Sequence, residues 1–205
     1  MEIMEAPLGR REKRKREIQT RIEEAAYDLF KCNGIEETSI EQICVKADVA
    51  RRTFYGHFPN KHALLGRMGI SRLYSKSEPM LRELMTNHRS TRARLQAMID
   101  YIESNFATFQ EIDRQLFLMA PLAFAHDKEQ QRKIGMSAIE GFKQLFTAGL
   151  ELGDVRTEFS AEILASMVVG TLNTLTINWS MDSSYPVFAR LEEARLMFDQ
   201  LICES

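Results

Sequence analysis

Between Gly34 and Pro59 the chain has room for two helices of fewer than ten residues each. In the first, Ile40, Ile43, Cys44 and Ala47 recur at offsets 0, 3, 4 and 7, which is one face of a helix. Thr38 or Ser39 caps its start, with Glu41 and Gln42 in the first turn. In the second, at about 51–58, Phe54 and Phe58 lie four apart and face inward with Val49. Asp48 marks the turn between the two, and Pro59 ends the second. Helices this short do not persist alone in water. They must bury their apolar faces on a neighbour, and a longer helix at about 10–32 supplies one. Its residues Ile18, Ile22, Ala25, Ala26, Leu29 and Phe30 share a face, and Gly34 stops it. Two short helices joined by a tight turn form the helix-turn-helix plan, here with a third helix in front. Cys44 reads as a small buried apolar residue rather than a nucleophile or ligand.

Turning Phe54 and Phe58 inward leaves Arg51, Arg52, Thr53, Tyr55 and His57 facing out. Two cations, two hydroxyls and an imidazole suit phosphates and major-groove base edges. The plain alternative is a solvated face. Tyr55 argues against it, because an aromatic ring beside two arginines has little reason to sit in water. The charge distribution agrees. Residues 10–67 hold 13 Lys/Arg against 9 Asp/Glu, and residues 68–205 hold 14 against 18. A basic front and an acidic back suggest that only the front meets a polyanion. The run RREKRKR at 10–16 is basic in six of seven positions. It fits a phosphate-tracking arm, an anionic membrane surface, or a solubilising tail.

Composition narrows the class. With 10 Gly and 5 Pro in 205 residues, turns are few, which favours helices over a sandwich of short strands. The three cysteines, Cys32, Cys44 and Cys203, have no paired spacing, so free thiols in a reducing compartment are expected. No run of 18 apolar residues exists and the N-terminus lacks a secretory pattern, so a cytoplasmic protein with no membrane partner is the expectation. Nucleotide-loop, metalloprotease and nucleophile-elbow motifs are missing, and no His/Asp/Glu/Cys triplet has metal spacing. No enzymatic activity, cofactor or metal is expected.

The stretch TSIEQICVKADVARRTFYGHFPNKHALL, residues 38–65, resembles the DNA-binding domain of the TetR family of bacterial transcriptional regulators. Thr53, Phe54, Tyr55, His57, Phe58, Lys61 and Leu64 carry the resemblance, with Gly34, Thr38, Ile43 and Ala47 upstream. It covers about residues 15–67. The sequence departs from the family pattern in having Asp48 for a turn glycine, Ala50 for a capping Ser or Thr, and Gly56 for a larger residue. With Ala50 unable to cap, Asp48 is the substitute expected. The resemblance implies that Arg51 and Arg52 read bases and that Tyr55 touches a base methyl or a phosphate. It implies phosphate contacts for Thr38, Thr53, His57 and Lys61, with the basic arm reaching flanking DNA. It also implies an all-α fold: an N-terminal three-helix DNA-binding domain at 1–67 and a larger helical ligand-binding and dimerisation domain at 68–205.

The larger part reads as helices throughout. Ser77, Glu78 and Pro79 start a segment or mark a kink. Helices follow at about 91–110, 112–124 with an interruption at Pro121, 127–152, 160–180 and 187–203. The last two are apolar enough to be enclosed, and such a pair forms a four-helix bundle with its symmetry mate or closes the monomer core. Phe106, Phe109, Phe117, Met119, Phe124, Met136, Phe142 and Trp179 are candidates to line a ligand cavity, with Asn105, Gln115, His126 and Asn178 as polar anchors. Core packing is the competing reading for each. The resemblance implies a homodimer through the last two helices on palindromic double-stranded operator DNA. It also implies release, most often of a repressor, by a small, mostly apolar or aromatic effector that moves the fourth helix. The other readings are an enzyme, or a helical small-molecule or protein-binding module without sequence-specific DNA binding.

Overall fold

The computed structural model describes residues 9–74, 76–126 and 128–204, leaving aside the side chains of 73 and 121–137. The described residues form ten α-helices and no strand, and they divide into two compact units, Met1–Leu64 and Leu65–Ser205. The division falls inside a helix.

The smaller unit holds α1 (Arg10–Asn33), α2 (Ile40–Lys46), α3 (Arg51–His57) and the first residues of α4 (Lys61–Tyr74). Ile22, Ala26, Ile43, Phe54 and Leu64 are essentially inaccessible and form its core, with Phe30 and Phe58 beside them. The rings of Phe54 and Phe58 lie 5.8 Å apart. This burial is what keeps two seven-residue helices folded. Ser39 caps α2 in a capping box: Gln42 N–H donates to Ser39 Oγ at 3.2 Å, and Ser39 N–H donates to Gln42 Oε1 at 2.7 Å.

The turn after α2 is a Schellman motif. Val49 N–H donates to Cys44 O at 3.0 Å and Asp48 N–H to Val45 O at 3.2 Å, which places Asp48 in the left-handed region at φ 51°. Asp48 therefore does not cap α3, contrary to expectation; it ends α2. Ala50 is the N-cap of α3 and makes no side-chain hydrogen bond there. Asn60 caps α4, accepting from Ala63 N–H at 2.8 Å.

The larger unit continues α4 and adds α5 (Ser77–Asn87), α6 (Thr91–Phe106), α7 (Glu111–His126), α8 (Lys128–Leu152), α9 (Ala161–Met181) and α10 (Val187–Ile202). Its core is built on Met98, Ile99, Leu145, Phe146, Leu164 and Phe198. Ser77, Glu78 and Pro79 occupy the first turn of α5, where proline costs least. Two boundaries differ from expectation. The sixth helix stops at Phe106 rather than near 110, because Thr108 Oγ1 donates to Asn105 O and Asp113 accepts from Gln110 N–H, so the chain turns there. The seventh runs through Pro121 without a break. Arg195 of α10 ties to Asp100 at 2.7 Å and Glu103 at 3.3 Å on α6.

In this unit α4 meets α7 closely. A Cβ on Gly69 would lie 2.2 Å from Leu116 O and 3.0 Å from Ala120 N. One turn on, Arg72 Nη2 reaches the buried carboxylate of Asp113 at 2.5 Å, and Tyr74 Oη donates to Asn173 Oδ1 of α9 at 3.3 Å.

Candidate nucleic-acid interface

Burial of Phe54 and Phe58 fixes the rotation of α3, and the opposite side of the helix is open. Arg51, Arg52 and Tyr55 are exposed, and Thr53 and His57 half-exposed. The structure thus brings five of the expected residues onto one outward face. Tyr55 is 45% exposed, its ring edge-on to Phe54 at 5.6 Å. Its ring thus packs on the core at one edge and is open to solvent elsewhere. Gly56 shares the face, and a Cβ there would meet nothing within 4 Å.

Lys61 opens α4, and its ammonium donates to Glu36 O at 3.2 Å, which leaves two of its three protons for another acceptor. Thr38 stands apart from the set. It is 1% exposed, and its hydroxyl donates to Gly34 O at 2.8 Å, so the side chain braces the loop after α1 and its proton is already committed. The position of Thr38 in the sequence does not distinguish these two jobs. The basic run 10–16 is the exposed first two turns of α1. Burial holds the His57 imidazole below its ordinary pKa, and the charge of Lys15 pushes it the same way. The basic run and the end of α3 therefore share one electrostatic neighbourhood.

Two features of this surface lie outside the residues expected from the sequence. Glu41 of α2 forms an ion pair with Arg51 at 2.7 Å. Val45, one turn beyond Glu41, is 82% exposed. Both line an open cleft of about 610 Å³ with Cys44, Asp48, Val49, Ala50 and Arg51. The i, i+4 spacing of Glu41 and Val45 on the outer side of α2 was the available signal.

The candidate ligand residues of the larger unit fall out differently. Phe106, Phe109, Phe117 and Trp179 form one ring cluster with centroids 5.1 to 6.0 Å apart. Phe142 is buried in the same core and Met119 is half-buried. Asn105 accepts from Lys76 at 3.3 Å and donates to Tyr101 O at 2.9 Å. Gln115 faces solvent, so as an inward polar anchor it is corrected: Leu116 and Phe117 take the inner side of α7. Phe124, Met136 and His126 lie outside the described side chains. Asn178 is half-buried, its carbonyl accepting from Asp182 N–H. Arg114 stacks on Trp179, 3.9 Å from the ring centroid, and donates to the Trp179 carbonyl. Among the described residues no group of three or more His, Cys, Asp or Glu is placed to hold a metal ion, and no helix is long and apolar enough to cross a membrane.

A short helix presenting two arginines and a tyrosine, held by a tight turn against a capped partner helix, is the helix-turn-helix arrangement found in DNA-binding proteins. Residues 22–68 match the family model "Bacterial regulatory proteins, tetR family". The fatty acid metabolism regulator protein of Bacillus subtilis is 22% identical over 182 residues, covering 86% of this chain and 91% of that protein. In fold, the chain resembles NalD of Pseudomonas aeruginosa, the secondary repressor of the MexAB-OprM multidrug efflux pump, with a TM-score of 0.63 at 20% identity, over 93% of this chain and 99% of that one. Thermus thermophilus FadR, a repressor solved with lauroyl-CoA, matches with a TM-score of 0.60 at 22% identity, over 88% and 92%.

Proposed function

We propose that this regulator is a repressor that binds a two-fold symmetric operator as a homodimer through α9 and α10 and is released by a predominantly apolar effector. The observation that carries the DNA-binding part is the outward face of α3. Arg51 and Arg52 face outward, where they can address guanine edges, each bidentate pair worth about 1–3 kcal/mol of discrimination. Thr53, His57, Lys61 and the basic turns of α1 supply phosphate contacts, which set affinity and salt dependence. Thr38 contributes by bracing the loop before α2.

The dimer reading rests on an exposed stripe. Along α9, Ile163, Ser166, Gly170, Thr174, Ile177 and Met181 are all exposed at three- and four-residue spacing. Ile163, Ile177 and Met181 are 58%, 53% and 71% exposed, and α10 adds Phe188 and Leu196 at 49% and 60%. Apolar stripes of this length on adjacent helices are characteristic of an isologous four-helix interface. A two-fold symmetric operator presents its half-sites to two α3 helices about 34–36 Å apart, one turn of DNA.

The effector reading rests on the aromatic lining candidates Phe106, Phe109, Phe117 and Trp179. A fatty acid metabolism regulator and a lauroyl-CoA complex among the relatives make acyl chains the first class to test. An effector preferring one conformation shifts DNA affinity by the ratio of its affinities for the two states, with α4 as the moving element.

The test is selection of binding sites from random duplex DNA at two salt concentrations, followed by titration with lauroyl-CoA. A symmetric consensus whose binding is relieved by the ligand is expected. Sequence-blind binding that vanishes with added salt would overturn the proposal.

A further inference from the structure

The ion pair between Glu41 and Arg51 is out of place on a surface that meets a polyanion. Its side chains are 53% and 63% exposed, and an exposed pair of this kind adds less than about 1 kcal/mol to stability. A carboxylate there also repels phosphate. The place of Glu41 in the first turn of α2 complements the helix dipole, but that role needs no partner on α3, and general affinity for DNA gives no account of the pair.

The effect of Glu41 on Arg51 does. Arg51 is the first residue of α3, at the rim of the cleft, and a lone guanidinium on a flexible stem in that position pairs with whichever phosphate is near. Paired with Glu41 from α2, the fork has a preferred direction. Donor arithmetic permits this. With Nη2 turned toward Glu41 Oε1, the guanidinium keeps N–H donors for the two acceptors of a guanine O6/N7 edge.

Resting on the DNA-binding reading above, we propose that Glu41 is a specificity-determining residue that acts by positioning Arg51. It holds the guanidinium toward a base edge and away from phosphate, so the reading surface spans both helices of the motif. Val45, on the same side of α2, extends that surface with an apolar contact.

The test repeats site selection with the full-length chain as wild type, Glu41→Gln, Arg51→Ala and the double variant, each also titrated against non-specific duplex across salt. Glu41 is exposed and lies outside the Ser39–Gln42 capping box, and Glu41→Ala serves as a second replacement. For Glu41→Gln, preference at the base pair under Arg51 is expected to fall by roughly fivefold or more. Non-specific affinity is expected to rise, with a salt slope steeper by about one phosphate. In the Arg51→Ala background, Glu41→Gln is expected to leave preference unchanged. A Glu41→Gln consensus identical to wild type, with affinity raised equally on all sequences, would show that Glu41 is only a repulsive charge and overturn the inference. A wild type without any consensus would instead remove the DNA-binding reading beneath it.

Discussion

Gly69→Ala adds one methyl where α4 crosses α7. The new Cβ would lie 2.2 Å from Leu116 O, 3.0 Å from Ala120 N and 3.1 Å from Ala120 Cα. All three are backbone atoms, so no rotamer change relieves the clash. Restoring ordinary contact requires the two helices to part by roughly 1 Å, and interiors resist such shifts at about 1–3 kcal/mol. For a chain of this size that lowers the melting temperature by about 2–12 °C. The same change at Gly56 in α3, where a Cβ meets nothing within 4 Å, raises helix stability by about 0.5–1 kcal/mol. Thermal unfolding followed by circular dichroism compares the two. A Gly69→Ala protein melting at or above wild type would refute the close-crossing argument.

Ile177→Arg puts a charge in the middle of the exposed α9 stripe and is expected to give monomers by light scattering after size exclusion; an unchanged mass would place the interface elsewhere. Burial and Lys15 hold His57 below the ordinary histidine pKa of 6.5, so its neutral form is favoured in the free protein and its contribution to stability is lost as pH falls below that value. A nearby phosphate favours the charged form. DNA affinity is therefore expected to rise as pH drops through this range, and His57→Gln to flatten the rise; equal pH slopes would exclude His57 from the phosphate set. Burial pushes up both the Cys44 and Cys203 thiols, the latter to about 11, while Cys32 is exposed. Native protein is expected to take one thiol label quickly, at Cys32, and all three in denaturant, as mass spectrometry would show.

Much of the fold could be read from period alone. Ile43, Cys44, Phe54 and Phe58 turn inward because only that rotation buries the apolar residues of helices too short to stand alone. The outward set of α3 follows from the same constraint. Pairings distant in sequence could not be read this way. Glu41 and Arg51 lie on different helices, and their meeting depends on the Schellman turn between them. Thr38 looks like any surface threonine until the loop geometry turns its hydroxyl toward Gly34 O. Period places Phe106, Phe109, Phe117 and Trp179 on inner faces, but whether such rings enclose a ligand or close on one another depends on helix separation, which no single helix encodes. Gln115 shows the limit of residue type: it is polar and near the aromatics in sequence, yet the rotation of α7 turns it to solvent.

The left-handed turn at Asp48 has a consequence for how this motif can change over generations. A single base change takes an aspartate codon to glycine or asparagine, the two residues that tolerate this conformation best. Its other neighbours, including valine, tyrosine and alanine, strain the turn. The hinge between the two short helices can therefore drift among three residues at little cost, while the helix presented to DNA keeps its angle.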